Sequence, residues 1–195
     1  MTFPAYAADF EAFPKDGRAF NALHSTISKL EKVNFKITIV DPFINQGQMS
    51  SDFDERLCEA ILSNGCNPSN FAPSADISKE LDFAFSCNGA CVAVEIEKAN
   101  REKILKDILK AHMYLAQGAD FALIVSPRNY AHSKGVWNLF KFGKEQFQDC
   151  LLYSFGSKEL FSRILLLGYT HYDAQTQKPF NTKLRKIMRE QAKAR

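Results

Sequence analysis

Long apolar runs are missing from this chain. Those present are short, Ile164 to Leu167 being one, whereas a membrane-spanning helix needs roughly 20 such residues in a row. The opening residues Met1-Thr2-Phe3-Pro4-Ala5-Tyr6 offer neither the basic nor the apolar segment of a secretion signal. Glycine is scarce, 9 in 195 residues. No Gly-rich phosphate loop and no Gly-x-Ser-x-Gly elbow occurs, so ATP-type phosphate binding and serine-hydrolase chemistry lack their backbone devices. The five cysteines are an odd number, and Cys58 and Cys66 have no companion His at metal-ligand spacing, which leaves zinc without a site. The expectation is a cytoplasmic protein with reduced thiols and no membrane association.

What is present suits one globular domain. Hydrophobic residues make up 46% and charged residues 24%, and a chain of this length buries a core without disulfide or metal staples. No internal repeat or Gly/Ser-rich linker interrupts it, so residues 1–177 are read as a single α/β domain and 178–195 as a basic, helical C-terminal extension. That extension holds seven basic residues against Glu190 alone; it therefore carries +6, and the rest of the chain −3, within a net charge of +3. A basic tail on an acidic body suits an anionic partner, most often nucleic acid, the alternative being a solvated terminal helix.

Periodicity places the elements. Residues 18–32 show an apolar stripe of Phe20, Leu23, Ile27 and Leu30, which predicts a helix. Asn34 to Val40 alternates as a strand and stops at Asp41-Pro42. A second helix is expected from Ser51 or Asp52 to Ser63, followed by a loop over 67–78. After the segment 79–98 come a helix over 101–117 and a buried strand from Ala119 that ends at Pro127. A helix over 133–147, a short strand over 149–155 and an apolar stretch of undecided type over 159–169 complete the reading. This order argues a mixed sheet flanked by helices.

The segment 79–98 carries the chemistry. Asn88-Gly89 between two alternating runs is a strong hairpin signal, because the type I′ turn needs positive φ at both central residues. A two-residue loop sets Asp82 across from Glu95 and Glu80 across from Glu97, and the side-chain period of two puts all four acids on one face. Leu81, Phe83, Phe85, Val92, Val94 and Ile96 occupy the other face, and Cys87 and Cys91 point to opposite faces. Like charges paired across a ladder repel. Protonation or a divalent cation relieves them, and carboxylate oxygens without His or Cys suit Mg²⁺ or Mn²⁺. An edge hairpin made acidic against aggregation is the competing explanation.

An Asp, 12 intervening residues, then Glu-x-Glu and a helix resembles the core of the PD-(D/E)XK restriction-endonuclease-like nucleases. The run Glu95-Ile96-Glu97-Lys98-Ala99-Asn100, after Leu81-Asp82-Phe83 and Val92-Ala93-Val94, is closest in motif to the BamHI/BglII-type D…ExE variant. The resemblance covers residues 80–127. Leu81 stands where the motif has Pro, and Glu97 where it has Lys. It implies an αβββαβ core with a mixed central sheet and a Mg²⁺-dependent endonuclease acting on DNA, with Mn²⁺ as a substitute and type II restriction among its settings. By the same resemblance Asp82 and Glu95 are metal ligands and Glu97 orients or deprotonates the attacking water; Glu80 is a further ligand by geometry. Duplex cleavage with one site per chain takes two chains, so a homodimer is expected.

Around this site Asn100 is placed as the cap of the following helix, whose Glu102–Lys106 and Lys103–Asp107 pairs read as a solvated surface. Candidates for DNA contact are Lys98, Arg101, Lys103, Arg128 and Lys134, together with Lys186 and its neighbours in the tail. His112 reads as a packed core histidine. The competing functional reading, prompted by the missing motif Lys, is an inactive nuclease-fold module that binds nucleic acid or protein.

Overall fold

In a computed structural model the chain is described over residues 2–33, 35–40, 50–74, 81–98, 100–132, 135–153, 157–181 and 190. Three strands form the centre of its main sheet: β6 (Ala90–Ile96), β7 (Phe121–Pro127) and β10 (Ile164–Asp173). They run parallel to one another. On one side follow β1 (Thr2–Phe13), β2 (Phe35–Val40) and the short β3 (Ser50–Ser51), all antiparallel. On the other side follow β5 (Phe83–Cys87) and the short β4 (Asn67–Pro68), also antiparallel. The order across this eight-stranded sheet is β3-β2-β1-β10-β7-β6-β5-β4. A separate ribbon pairs β8 (Tyr130–His132) with β9 (Gly135–Trp137).

Helices cover both faces, as a sheet with parallel central strands requires. The helices α1 (Arg18–Leu30) and α2 (Phe53–Ser63) lie on one face, α3 (Lys103–Ala116) and α4 (Leu139–Leu152) on the other, with the short α5 (Lys158–Ser162) beside α3. Adjacent residues of β10 show the division. Tyr169 stacks on Phe53 of α2 with ring centroids 3.8 Å apart, while Gly168 lies directly under Phe140 of α4. Strands β7 and β10 are buried nearly end to end, which is why their sequences run apolar without alternation.

Most of the stripes expected from sequence pack: Leu23, Ile27 and Leu30 of α1, Phe53, Leu57 and Ile61 of α2, and Ile104, Ile108 and Leu115 of α3 are buried, but Leu105 and Leu109, whose periodicity put them on the same face of α3, are exposed. Two of the assigned elements are corrected. The helix read over 133–147 begins at Leu139, where the Asn138 side chain caps the Lys141 amide at 2.8 Å. The strand read over 149–155 is the end of that same helix through Leu152. The undecided apolar stretch divides into α5 and β10. The long β1, which the sequence reading leaves unassigned, pairs with β10 and β2. Among the described residues the elements α2, β4, β5, β6, α3 and β7 follow in the order αβββαβ. Among the described residues no helix is long and apolar enough to cross a membrane.

Candidate active site

The turn between β5 and β6 forms as its dipeptide dictates. Asn88 and Gly89 have φ of 53° and 80°, the left-handed pair of a type I′ hairpin. The ladder then pairs Phe83 with Val94, Phe85 with Val92 and Cys87 with Ala90. One step further on, Asp82 stands level with Glu95, and its Oδ2 accepts a hydrogen bond from the Ile96 amide at 2.6 Å. Glu95 and Glu97 follow on the same face of the strand.

Part of that face is covered: Glu95 and Glu97 are buried, whereas Asp82 is exposed. Helix α3 crosses over the covered part, and Asp107, Lys110 and Tyr114 of the helix, three and four residues apart, line up above the acids. Glu95 is 5% exposed. Its Oε1 accepts from the Tyr114 hydroxyl at 2.5 Å, and its Oε2 accepts from the Lys110 ammonium. Lys110 also lies 3.3 Å from Asp107 Oδ1. The Glu97 amide donates to the Val125 carbonyl at 2.9 Å, and its Oε1 accepts from the Asn100 amide at 2.7 Å. Asp82, Glu95, Ile96, Glu97, Lys103, Lys106, Asp107 and Lys110 line an open pocket of about 290 Å³.

Burial and mutual charge set the electrostatics. Burial pushes the Glu95 carboxyl up to about 7, against the pull of Lys110 and Tyr114, with the Asp82 charge adding to the rise. Burial likewise pushes Asp107 up to about 6, Lys110 opposing it and Glu97 and Asp82 adding to it. For Lys110 burial disfavours the ammonium, but Glu95 and Asp107 outweigh it and hold its pKa above the usual lysine value. The pocket thus carries four carboxylates whose charge its own lysines only partly offset.

The structure brings Asp82, Glu95, Glu97 and Lys103 together. Lys98 is elsewhere, paired with Asp54 of α2. Arg101 lies over the Phe142 ring, 3.9 Å from its centroid. Arg128 is 3.4 Å from Glu11 and donates to the Asp9 carbonyl at 3.3 Å. Glu80, Lys134 and Lys186, like residues 182–189 and 191–195 of the tail, lie outside the described residues. The cap expected at Asn100 falls two residues later, at Glu102, whose amide donates to Asn100 Oδ1 at 2.9 Å. His112 packs against Phe161 with its Nδ1 on the Ile108 carbonyl, as a core histidine does.

Sequence reasoning missed Asp107, Lys110 and Tyr114. Their signal is a polar row beside the apolar stripe of the helix that directly follows the acidic strand. All donors lining the pocket from the strands are carboxylate oxygens, the ligand type of a hard dication. Among the described residues no three His, Cys, Asp or Glu side chains converge closely enough to hold an ion by themselves. Mg²⁺ sites commonly use one or two carboxylates and draw their other ligands from water and phosphate, so Asp82 and Glu95 fit it in kind and number.

A solved structure, restriction endonuclease BglII complexed with a DNA 16-mer, matches the model with a TM-score of 0.51 over 82% of this chain and 76% of that chain. The fold is restriction-endonuclease-like. Identity over the match is 14%, so the likeness is one of architecture. No protein-family model and no curated protein sequence matches the chain. Within this fold the acidic pocket lies at the carboxyl end of β6, one of the parallel central strands, and open α/β sheets place their ligands at such ends.

Proposed function

We propose that the chain is a Mg²⁺-dependent endonuclease that hydrolyses DNA phosphodiester bonds. The observation that carries this reading is the convergence of Asp82, Glu95 and Glu97 on one pocket inside a restriction-endonuclease-like fold. Asp82 and Glu95 would hold the ion, with Mn²⁺ as a substitute. When bound, such an ion lowers the pKa of its water and offsets charge on the phosphate oxygens. Glu97, anchored on the Asn100 amide, orients the attacking water. Lys103 and Lys106 at the pocket wall receive the phosphate backbone, a contact that supplies affinity without reading sequence. Two cuts across a duplex call for two copies, and the exposed row Leu105, Leu109 and Met113 on the outer side of α3 is the apolar surface a second copy would cover.

The test is plasmid cleavage in Mg²⁺ or Mn²⁺ by the wild type and by the Asp82→Ala, Glu95→Ala double variant. Cleavage that needs the ion and vanishes in the variant supports the reading. A wild type that cuts no DNA and binds no divalent ion refutes it. The pairing of Glu95 with Lys110 favours a second reading, a non-catalytic DNA-binding module whose acids are balanced from within. That protein would bind DNA with a strong salt dependence and no response to divalent ions.

A further inference from the structure

Lys110 is buried, 8% exposed, at a place where the strand motif has no lysine of its own. An ammonium is kept out of water only where carboxylates face it, and here Glu95 and Asp107 both do. Glu95 is also one of the two groups that would hold the divalent ion. Both of its oxygens are engaged, Oε1 by the Tyr114 hydroxyl and Oε2 by the Lys110 ammonium. A carboxylate oxygen has a second lone pair, so the neutral Tyr114 hydroxyl and a metal ion are compatible on one group. The ammonium and a dication on the same carboxylate repel each other, so one must give way. Asp107, 3.3 Å from the Lys110 ammonium, offers it a second anchor on the wall of the same pocket.

From this arrangement we infer that Lys110 is the exchangeable counter-ion of the pocket: it holds Glu95 until a divalent ion arrives, then moves onto Asp107 and presents its charge to the incoming phosphate. The inference rests on the metal-dependent reading above. It gives helix α3 the lysine that the strand lacks, and it makes Asp107 a positioning residue.

Calorimetric titration with Mn²⁺ tests it on the wild type, Lys110→Gln and Lys110→Arg, each checked for folding by circular dichroism. Lys110→Gln is expected to bind Mn²⁺ roughly fivefold more tightly than the wild type, about the effect of one ordinary charge pair, and Lys110→Arg to bind like the wild type. Acylation of the unaltered protein, read by mass spectrometry, covers the case in which Lys110→Gln does not fold. Mn²⁺ should raise labelling of Lys110 and leave that of Lys29 unchanged. Wild type that binds Mn²⁺ while Lys110→Gln binds no more tightly, or while Lys110 labelling stays flat, overturns the exchange and leaves the metal site standing. Absence of binding in both wild type and Lys110→Gln brings down the metal site itself.

A second observation stands apart from the pocket. The β4–β5 register pairs Asn67 with Ser86 and Pro68 with Phe85; one step back, Cys66 falls opposite Cys87. Their sulfurs are in contact at 2.6 Å, with Thr26 Oγ1 3.8 Å from Cys66 Sγ and 3.4 Å from Cys87 Sγ. Directly opposed residues of antiparallel strands hold their Cα atoms at about 4.5–5.5 Å, within the span that a disulfide bridges. The structure assigns Cys66 and Cys87 as a reversible disulfide site, closed by exchange with a small-molecule disulfide. One thiolate attacks the reagent and releases one thiol; the second displaces the other, so two protein thiols are oxidised and the reagent is reduced to two thiols. Burial raises the Cys66 thiol to about 11, so closure waits on opening of the two-residue β4.

Oxidised glutathione followed by alkylation in denaturant tests this. The expected product is lighter by two hydrogens, with a reducible link between the peptides of Cys66 and Cys87. A full count of free thiols after treatment, or glutathione adducts on either residue that never resolve, overturns the assignment.

Discussion

The Asp82 carboxylate accepts the backbone amide of Ile96 at 2.6 Å, so the residue that leads into β5 is tied to the strand that carries Glu95 by its side chain as well as by the hairpin. Asparagine keeps an oxygen for that amide and removes the charge. Asp82→Asn should therefore melt within about 2 °C of the wild type. Its DNA cleavage should fall by about 100-fold or more. Thermal melts beside plasmid cleavage check the two halves, and a folded variant with undiminished cutting would remove Asp82 from the site.

The basic residues divide by whether their charge is already answered. Lys103 faces the pocket, whereas Lys98 is held by Asp54 and Arg128 by Glu11. Lys103→Ala should lower the slope of log affinity against log salt by about one. Lys98→Ala should change it little. Fluorescence-anisotropy titrations of a labelled duplex at several salt concentrations measure both slopes.

His171 is fully buried between Tyr169 and Phe180, and neither ring nitrogen has a hydrogen-bond partner. Burial first, and the Lys98 charge second, lower its pKa from 6.5 to about 3. The unfolded chain therefore takes up a proton below pH 6.5 that the folded chain refuses. The stability this group supports is whole above pH 6.5 and drains away as the pH falls toward 3, at up to about 1.4 kcal/mol per unit. His171→Phe should flatten that limb. Urea denaturation at pH 7.5 and pH 5 compares them, and equal losses in both proteins would contradict the assignment.

A methyl group on Gly168 would stand 2.5 Å from Phe140 Cγ, closer than any carbon pair tolerates. Gly168→Ala should cost about 1–3 kcal/mol. Phe140→Leu, itself destabilising, should be less so in that background, because the two positions share one space. A double-mutant cycle by chemical denaturation gives the coupling.

How far the sequence carried depended on how local each feature is. The Asn88-Gly89 turn, its two-residue loop and the level of Asp82 with Glu95 follow from backbone sterics within fifteen residues, and they were legible. Helices α1, α2 and α3 were legible from their apolar stripes. Strand β1 was not, because alanines dominate its buried side and its partner β10 lies some 160 positions away. Strand β10 is buried on both faces and shows no period by which to tell strand from helix. The roles of Lys110 and Tyr114 were hidden for a different reason: spacing shows which residues share a side of α3, but only the packed sheet shows that this side looks down on Glu95.

Strand β5 lies one strand in from the rim of the main sheet, and this bears on how the molecule fails. Five residues of β5 pair with β6, but among the described residues its outer side meets only the two of β4. This is the least supported ladder of the main sheet apart from the far rim, and Asp82 hangs from its end. Amides there should exchange with deuterium ahead of those in β7 and β10. Warming should accordingly silence the protein while its centre is still folded, and cooling should restore it, so that the hairpin works as a thermal fuse set below the melting point of the rest.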